Sequence, residues 1–316
     1  MSMQNREMSA SMMTIRLAFA SFAAGVASAS GAGDAPFPRP ADHPPAPTNE
    51  VFAPNLIVTF KRPAAGEPLK LHIFLPRQPA ENRPGIVFFF GGGWISGAPT
   101  AFYPQSAAVT RRGMVAVSAQ YRPQSSHGTT VADAAADARS AMRWVRQHAH
   151  VLGIDPARIG AGGGSAGGHL AATTALCDGF DDPADDLQVS CRPALLILYN
   201  PILDTSPTGF RNERVKDYWE RISPVHNIRK GAPPTIVFLG TKDQHVPVAT
   251  AEDFAARMRA VGSDCRLVLY EGQPHSFFGY REGENPYFWK TLQSATGFLE
   301  ELGWLERESP LPAARK

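Results

Sequence analysis

From about residue 55 to residue 302 the chain alternates two hydrophobic patterns. Gly85–Phe90, Met114–Ala119, Ala194–Tyr199, Thr235–Leu239 and Leu267–Tyr270 are short and almost wholly apolar. That is the signature of strands covered on both faces. Between them apolar residues recur at helical spacing. Val131, Ala134, Ala138, Met142 and Val145 mark a helix over 129–150, capped by Thr129 or Thr130. Ala251, Phe254, Ala255 and Met258 mark another after Val248, ended by Gly262. Phe288, Leu292, Ala295 and Leu299 mark one over about 287–302. Asn55–Lys61 and Leu69–Leu75 are strand-like and close enough to pair as an antiparallel hairpin, whereas 202–232 is polar and irregular. The alternation predicts an α/β fold, a mainly parallel sheet with helices on both faces.

One strand-to-helix junction stands out. Arg158-Ile159-Gly160-Ala161 reads as a short buried strand, and Gly168-His169-Leu170-Ala171-Ala172 opens an alanine-rich helix. Between them lies Gly163-Gly164-Ser165-Ala166-Gly167, the G-x-S-x-G pattern of a nucleophile elbow. The residues two before and two after the serine crowd each other, so both must be glycine.

Composition narrows the class. The 316 residues are 43% hydrophobic and 19% charged, which suits a globular chain with a large core. A net charge of +2 is too small to imply nucleic acid as a partner. No uninterrupted apolar run reaches the roughly 20 residues that span a bilayer. Arg6 and Arg16, the mostly apolar stretch Leu17–Ala29 and the small residues Ala27-Ser28-Ala29 form an export signal, with cleavage expected near Ala29 and a periplasmic or secreted product. Six prolines between Pro36 and Pro47 mark an extended arm. The expected organisation is a signal peptide over 1–30, the arm over 31–50, one catalytic domain over 51–304 and a tail over 305–316. An oxidising compartment would permit a disulfide, and Cys177 with Cys191, which bracket an acidic loop, are the expected pair. Cys265 is expected as a buried thiol, and no Cys/His cluster has the spacing of a metal site.

A serine hydroxyl needs a base to take its proton and a carboxylate to orient that base. Asp243 follows the strand Thr235–Leu239 and His275 follows Leu267–Tyr270. Both therefore sit at the sheet edge where open α/β folds place catalytic residues. The expected constellation is Ser165, His275 and Asp243, with Asp204 as the alternative acid. His245 is read as turned away from the serine, and His169 as a packing residue. The backbone N–H of Ala166, at a helix N-terminus, is one expected oxyanion donor. Gly91-Gly92-Gly93-Trp94 directly follows a strand, and the N–H groups of Gly92 and Gly93 are the others.

With these residues the chain resembles the α/β-hydrolase superfamily, specifically its hormone-sensitive-lipase-like branch and related bacterial carbohydrate acetyl esterases. The resemblance spans about 55–302. It rests on Gly91-Gly92-Gly93-Trp94, Tyr121-Arg122, Gly163–Gly168, Gly240-Thr241-Lys242-Asp243 and His275. It implies hydrolysis of carboxylic esters through an acyl-enzyme, without a cofactor. Two positions depart from the family pattern: Phe90 stands where a histidine usually precedes the glycines, and Gly164 where many relatives carry an acid. The cap is minimal, which implies short acyl groups, acetyl above all, on a small-molecule or carbohydrate alcohol. Trp94, His127 and Trp219 are the expected substrate contacts, the tryptophans by stacking on a sugar. The rival activities are a prolyl-oligopeptidase-like serine peptidase and an arylformamidase-like amide hydrolase, and outside catalysis a binding module on an inactive scaffold.

Overall fold

A computed structural model describes residues 52–307 except 65, 79 and 282–284. The expected signal peptide, the proline-rich arm and most of the tail lie outside the described residues.

The strands are β1 (Leu56–Lys61), β2 (Leu69–Phe74), β3 (Arg83–Phe89), β4 (Val115–Ala119), β5 (Ile154–Gly164), β6 (Leu196–Tyr199), β7 (Thr235–Gly240) and β8 (Cys265–Tyr270). They form one eight-stranded sheet in the order β1-β2-β4-β3-β5-β6-β7-β8. The first two pair antiparallel as expected, and β2 joins β4 antiparallel. Every later pairing is parallel. Among the described residues the helices of two turns or more are α1 (Tyr103–Arg111), α2 (Val131–Gln147), α3 (Ala166–Leu176), α4 (Val248–Ala260) and α5 (Pro286–Glu301).

The strands lack a polar face because each side of the sheet has its own core. Val87 and Phe89 of β3 join a cluster with Ala138 and Met142 of α2, Leu170 of α3 and Phe254 and Met258 of α4. Ile86 and Phe88, pointing the other way, join Val109 of α1 and Phe298 and Leu299 of α5. The start of α2 is set by a reciprocal cap: Thr130 Oγ1 accepts from Asp133 N, and Asp133 Oδ2 accepts from Thr130 N. Gly262, just past α4, has φ +88° and supplies the left-handed stop.

The expected Cys177–Cys191 bridge is not present; both thiols are free and buried. Arginines close that loop instead. Arg139 binds Asp181 at 2.8 Å, and Arg143 reaches Asp181 at 2.5 Å and Asp185 at 2.9 Å. Cys177 is fully buried, and its thiol is pushed up to about 12 by desolvation, so it has little thiolate character. Cys265, expected as a buried thiol, is one, and opens β8.

Candidate active site

The elbow follows from crowding. A Cβ on Gly167 would lie 2.0 Å from the Phe89 carbonyl oxygen, and one on Gly163 would lie 2.6 Å from the Gly167 carbonyl carbon. Both glycines are forced by backbone, which cannot give way. The chain then reverses at Ser165, whose φ of +54° is left-handed, costly for any residue but glycine. That strain lifts the side chain out of strand β5 and onto the end of α3, leaving it 9% exposed.

Three strand ends converge there. His275, beyond β8, brings Nε2 to 2.9 Å from Ser165 Oγ. Its Nδ1 lies 2.7 Å from Asp243 Oδ2, beyond β7. A carboxylate only accepts, so Nδ1 carries the proton and donates, which leaves Nε2 bare to accept from the serine hydroxyl. Burial alone would raise the Asp243 carboxyl. The hydrogen bond from His275 and those from the N–H groups of His245 and Val246 outweigh it, and the group is held below its ordinary value. It is therefore an anion throughout the neutral range.

Asn200 is the residue that the sequence reading missed. It follows β6, is fully buried, and its Oδ1 accepts from Ser276 N at 3.0 Å while its Nδ2 lies 3.4 Å from His275 Nε2. It pins the loop that carries the imidazole. The available signal was a polar residue directly after an apolar strand, at the edge already holding Ser165 and Asp243.

The glycine loop lies against the elbow: a Cβ on Gly91 would sit 3.3 Å from Ser165 Cβ. Gly92 and Gly93 have φ of +125° and +62°. Their N–H groups and that of Ala166 have no hydrogen-bond partner among the described residues, a condition that oxyanion donors must meet. In place of the family histidine, Phe90 stacks on Tyr121 at 4.1 Å, and Tyr121 Oη donates to the Phe90 carbonyl at 3.1 Å. Arg214 Nη1 holds the Gly93 carbonyl at 2.9 Å from the 202–232 segment. The second departure also has a steric cause. A Cβ on Gly164 would meet Phe278 Cζ at 2.6 Å, so an aromatic ring fills the space that a side chain there would need.

The expected substrate contacts are placed otherwise. Trp94 is 1% exposed and packs edge-on against His169 at 5.0 Å, so stacking on a sugar is closed to it. His127 contacts Ser126 Oγ at 2.8 Å and the Glu67 carbonyl at 3.5 Å. Trp219 packs against His226 at 5.1 Å. Neither has a hydrogen bond or ring contact to Ser165 or His275 among the described residues. His169 is fully buried, with Nε2 on the Ile222 carbonyl at 2.9 Å, a packing residue as read. Asp204 accepts from Ser206 N at 2.7 Å and does not reach His275. His245, read as turned away from the serine, is a neighbour of the imidazole. Its ring stands edge-on to His275 at 4.7 Å, because the Asp243 carboxylate takes its N–H and folds the turn back.

The chain is similar to known hydrolases. The BD-FAE family profile matches residues 71–194 and that of the prolyl oligopeptidase family matches 184–302. Esterase 2 of Thermogutta terrifontis is 45% identical, with a TM-score of 0.76, over 80% of this chain and 96% of that one. It has been solved with propionate and with butyrate bound, and phosphorylated by paraoxon. A probable carboxylic ester hydrolase of Mycobacterium tuberculosis, LipM, is 31% identical over 59% of this chain and 48% of its own length. An acetylxylan esterase of Xylanibacter ruminicola is 27% identical over 65% of this chain and 42% of its own. The chain spans about half the length of the curated relatives it matches.

Proposed function

The chain belongs to the α/β-hydrolase superfamily, among the esterases of its hormone-sensitive-lipase-like branch, and on that premise we propose that it is a serine hydrolase of short-chain carboxylic esters, acetyl to butyryl. The observation that carries this is the hydrogen-bonded row Asp243–His275–Ser165, at 2.7 and 2.9 Å, ending on a strained, accessible serine.

In this reading His275 Nε2 takes the Ser165 proton as Oγ attacks the ester carbonyl. The oxyanion of the tetrahedral intermediate accepts from the N–H groups of Ala166, Gly92 and Gly93, each worth about 3 kcal/mol if lost. The intermediate collapses as His275 passes its proton to the leaving alcohol, and the acyl group stays on Oγ. Water then enters, gives a proton to His275 and releases the acid by the same steps in reverse. Asp243 stays ionised and stabilises the imidazolium formed twice in the cycle.

Two features support short acyl chains. Phe102, Tyr199 and Phe278 form a packed aromatic cluster at the Gly164 side of the elbow, with ring centroids 4.7–5.9 Å apart. The Thermogutta relative binds propionate and butyrate. Acetylated carbohydrate is a narrower version of the same activity, favoured by the similarity to an acetylxylan esterase. The test is a panel of para-nitrophenyl esters from acetate to decanoate beside acetylated xylan and a peptide anilide. The expected result is fast turnover of acetate to butyrate that fades with longer chains. Turnover of the anilide alone would replace this reading with a peptidase.

A further inference from the structure

Beside the candidate active site lies a cavity of about 330 Å³. Its lining includes Leu203, Phe210 and Arg211 as well as Asp243, His245 and Val246. It lies on the His275 flank: the His245 ring in its wall stands against His275 at 4.7 Å, and Phe210 stands against His245 at 5.2 Å. The leaving alcohol must receive its proton from His275 and so lies on this flank.

Arg211 is the unusual member of that wall. Its guanidinium carbon comes within 3.7 Å of the space that a Cβ on Gly93 would fill, so the charge hangs over the oxyanion loop. It rests near the Phe210 ring at 5.5 Å and has no carboxylate or carbonyl partner among the described residues. Its backbone φ is +51°, a strained conformation held at a loop that lines a cavity. The cavity's two carboxylates are otherwise engaged. Asp243 is bound by His275, and Asp204 by Ser206 N at 2.7 Å and Ser223 Oγ at 3.5 Å, with His226 Nδ1 at 3.9 Å. Arg214, the nearest other cation of the segment, is taken by the Gly93 carbonyl. An unpaired guanidinium beside a site for an alcohol is a fork for a carboxylate, to which it binds in bidentate fashion.

We propose that this cavity receives the alcohol portion of the ester and that Arg211 pairs there with a carboxylate on it, so that the enzyme prefers acylated hydroxy acids to neutral esters. The proposal rests on the esterase reading above and names the substrate class of that same site.

The test compares kcat/KM for para-acetoxybenzoate with that for its methyl ester, in the native protein and in Arg211→Gln and Arg211→Lys. Taking the ratio of the two esters in each protein cancels their intrinsic reactivity and any general loss of activity. A charge-assisted pair predicts that the ratio falls by about tenfold or more in Arg211→Gln and is partly restored in Arg211→Lys. In the native protein alone, para-hydroxybenzoate should inhibit more strongly than its methyl ester, and added salt should weaken the difference. An equal ratio in native protein and Arg211→Gln, or equal inhibition by the two phenols, overturns the anion site while leaving ester hydrolysis standing. A native protein that turns over neither ester, nor para-nitrophenyl acetate, overturns the hydrolase reading itself.

Discussion

Ser165 and His169 sit one helical turn apart, and opposite local conditions separate their roles. Ser165 is held in strain with 9% of it exposed, and His169 is sealed behind it against Trp94. Burial pulls the His169 imidazole down to about 4, against the smaller opposing pull of the Ile222 carbonyl. The unfolded chain takes up that proton near the ordinary histidine value, about 6.5, so between these values it binds more protons than the folded one. Stability is therefore complete above the ordinary value and lost as pH falls towards the folded one, by about 3 kcal/mol from this residue. Urea unfolding at pH 7 and at about pH 4.5 should show a smaller acid loss in His169→Asn than in the native protein; equal losses would mean that His169 is not the group responsible. Legibility at this scale depended on whether a side chain's surroundings are local. Gly163 is crowded by Gly167, four residues on, and that part of the elbow could be read from the pattern; the clash of both with the Phe89 carbonyl, from a strand far earlier in the chain, could not. The burial of Trp94 comes from Phe210 and His169, far along the chain, and a tryptophan after three glycines reads as exposed until those are placed.

Among the elements, α1 carried no signal that the hydrophobic pattern could find. It buries Gln105, Ser106 and Thr110 together with Ala108 and Val109, so its inner face is as polar as an outer one. By contrast α2 shows the apolar stripe that its sequence announces and is capped by Thr130, one of the two expected caps. The same helix also holds the loop for which a disulfide was the expectation. Cysteine spacing could bracket that loop, but only packing reveals that Arg139 and Arg143, on the buried side of α2, face its aspartates. The Arg143 side chain is 7% exposed and spans Asp181 and Asp185. Arg143→Met should cost about 2–3 kcal/mol, somewhat below a fully buried pair because Asp181 keeps Arg139 and partly faces water. Denaturant melts would measure this, and a loss no larger than the roughly 0.5 kcal/mol of an exposed pair would show that the clamp adds little.

For the whole molecule, the parallel sheet is what turns distance in sequence into contact. Ser165 and His275 are 110 residues apart, yet β5 and β8 deliver both to one edge, with β6 and β7 between them supplying Asn200 and Asp243. Alternating strands and helices made that edge legible from the chain alone, because each candidate lies just past a strand's end. The 202–232 segment was not legible, having neither period, and it is the part that contributes Arg211 and Arg214 to the glycine loop. Every step of the proposed reaction requires Ser165 to be the nucleophile. Treatment with paraoxon, followed by peptide mass mapping, tests this directly: a dialkylphosphoryl group passes to the attacking oxygen as para-nitrophenol leaves. The predicted result is one adduct, on the peptide containing Ser165, forming in step with the loss of esterase activity and absent from Ser165→Ala, which is itself inactive but folded. Labelling at another residue, or ester hydrolysis persisting at near-native rate in Ser165→Ala, would contradict it.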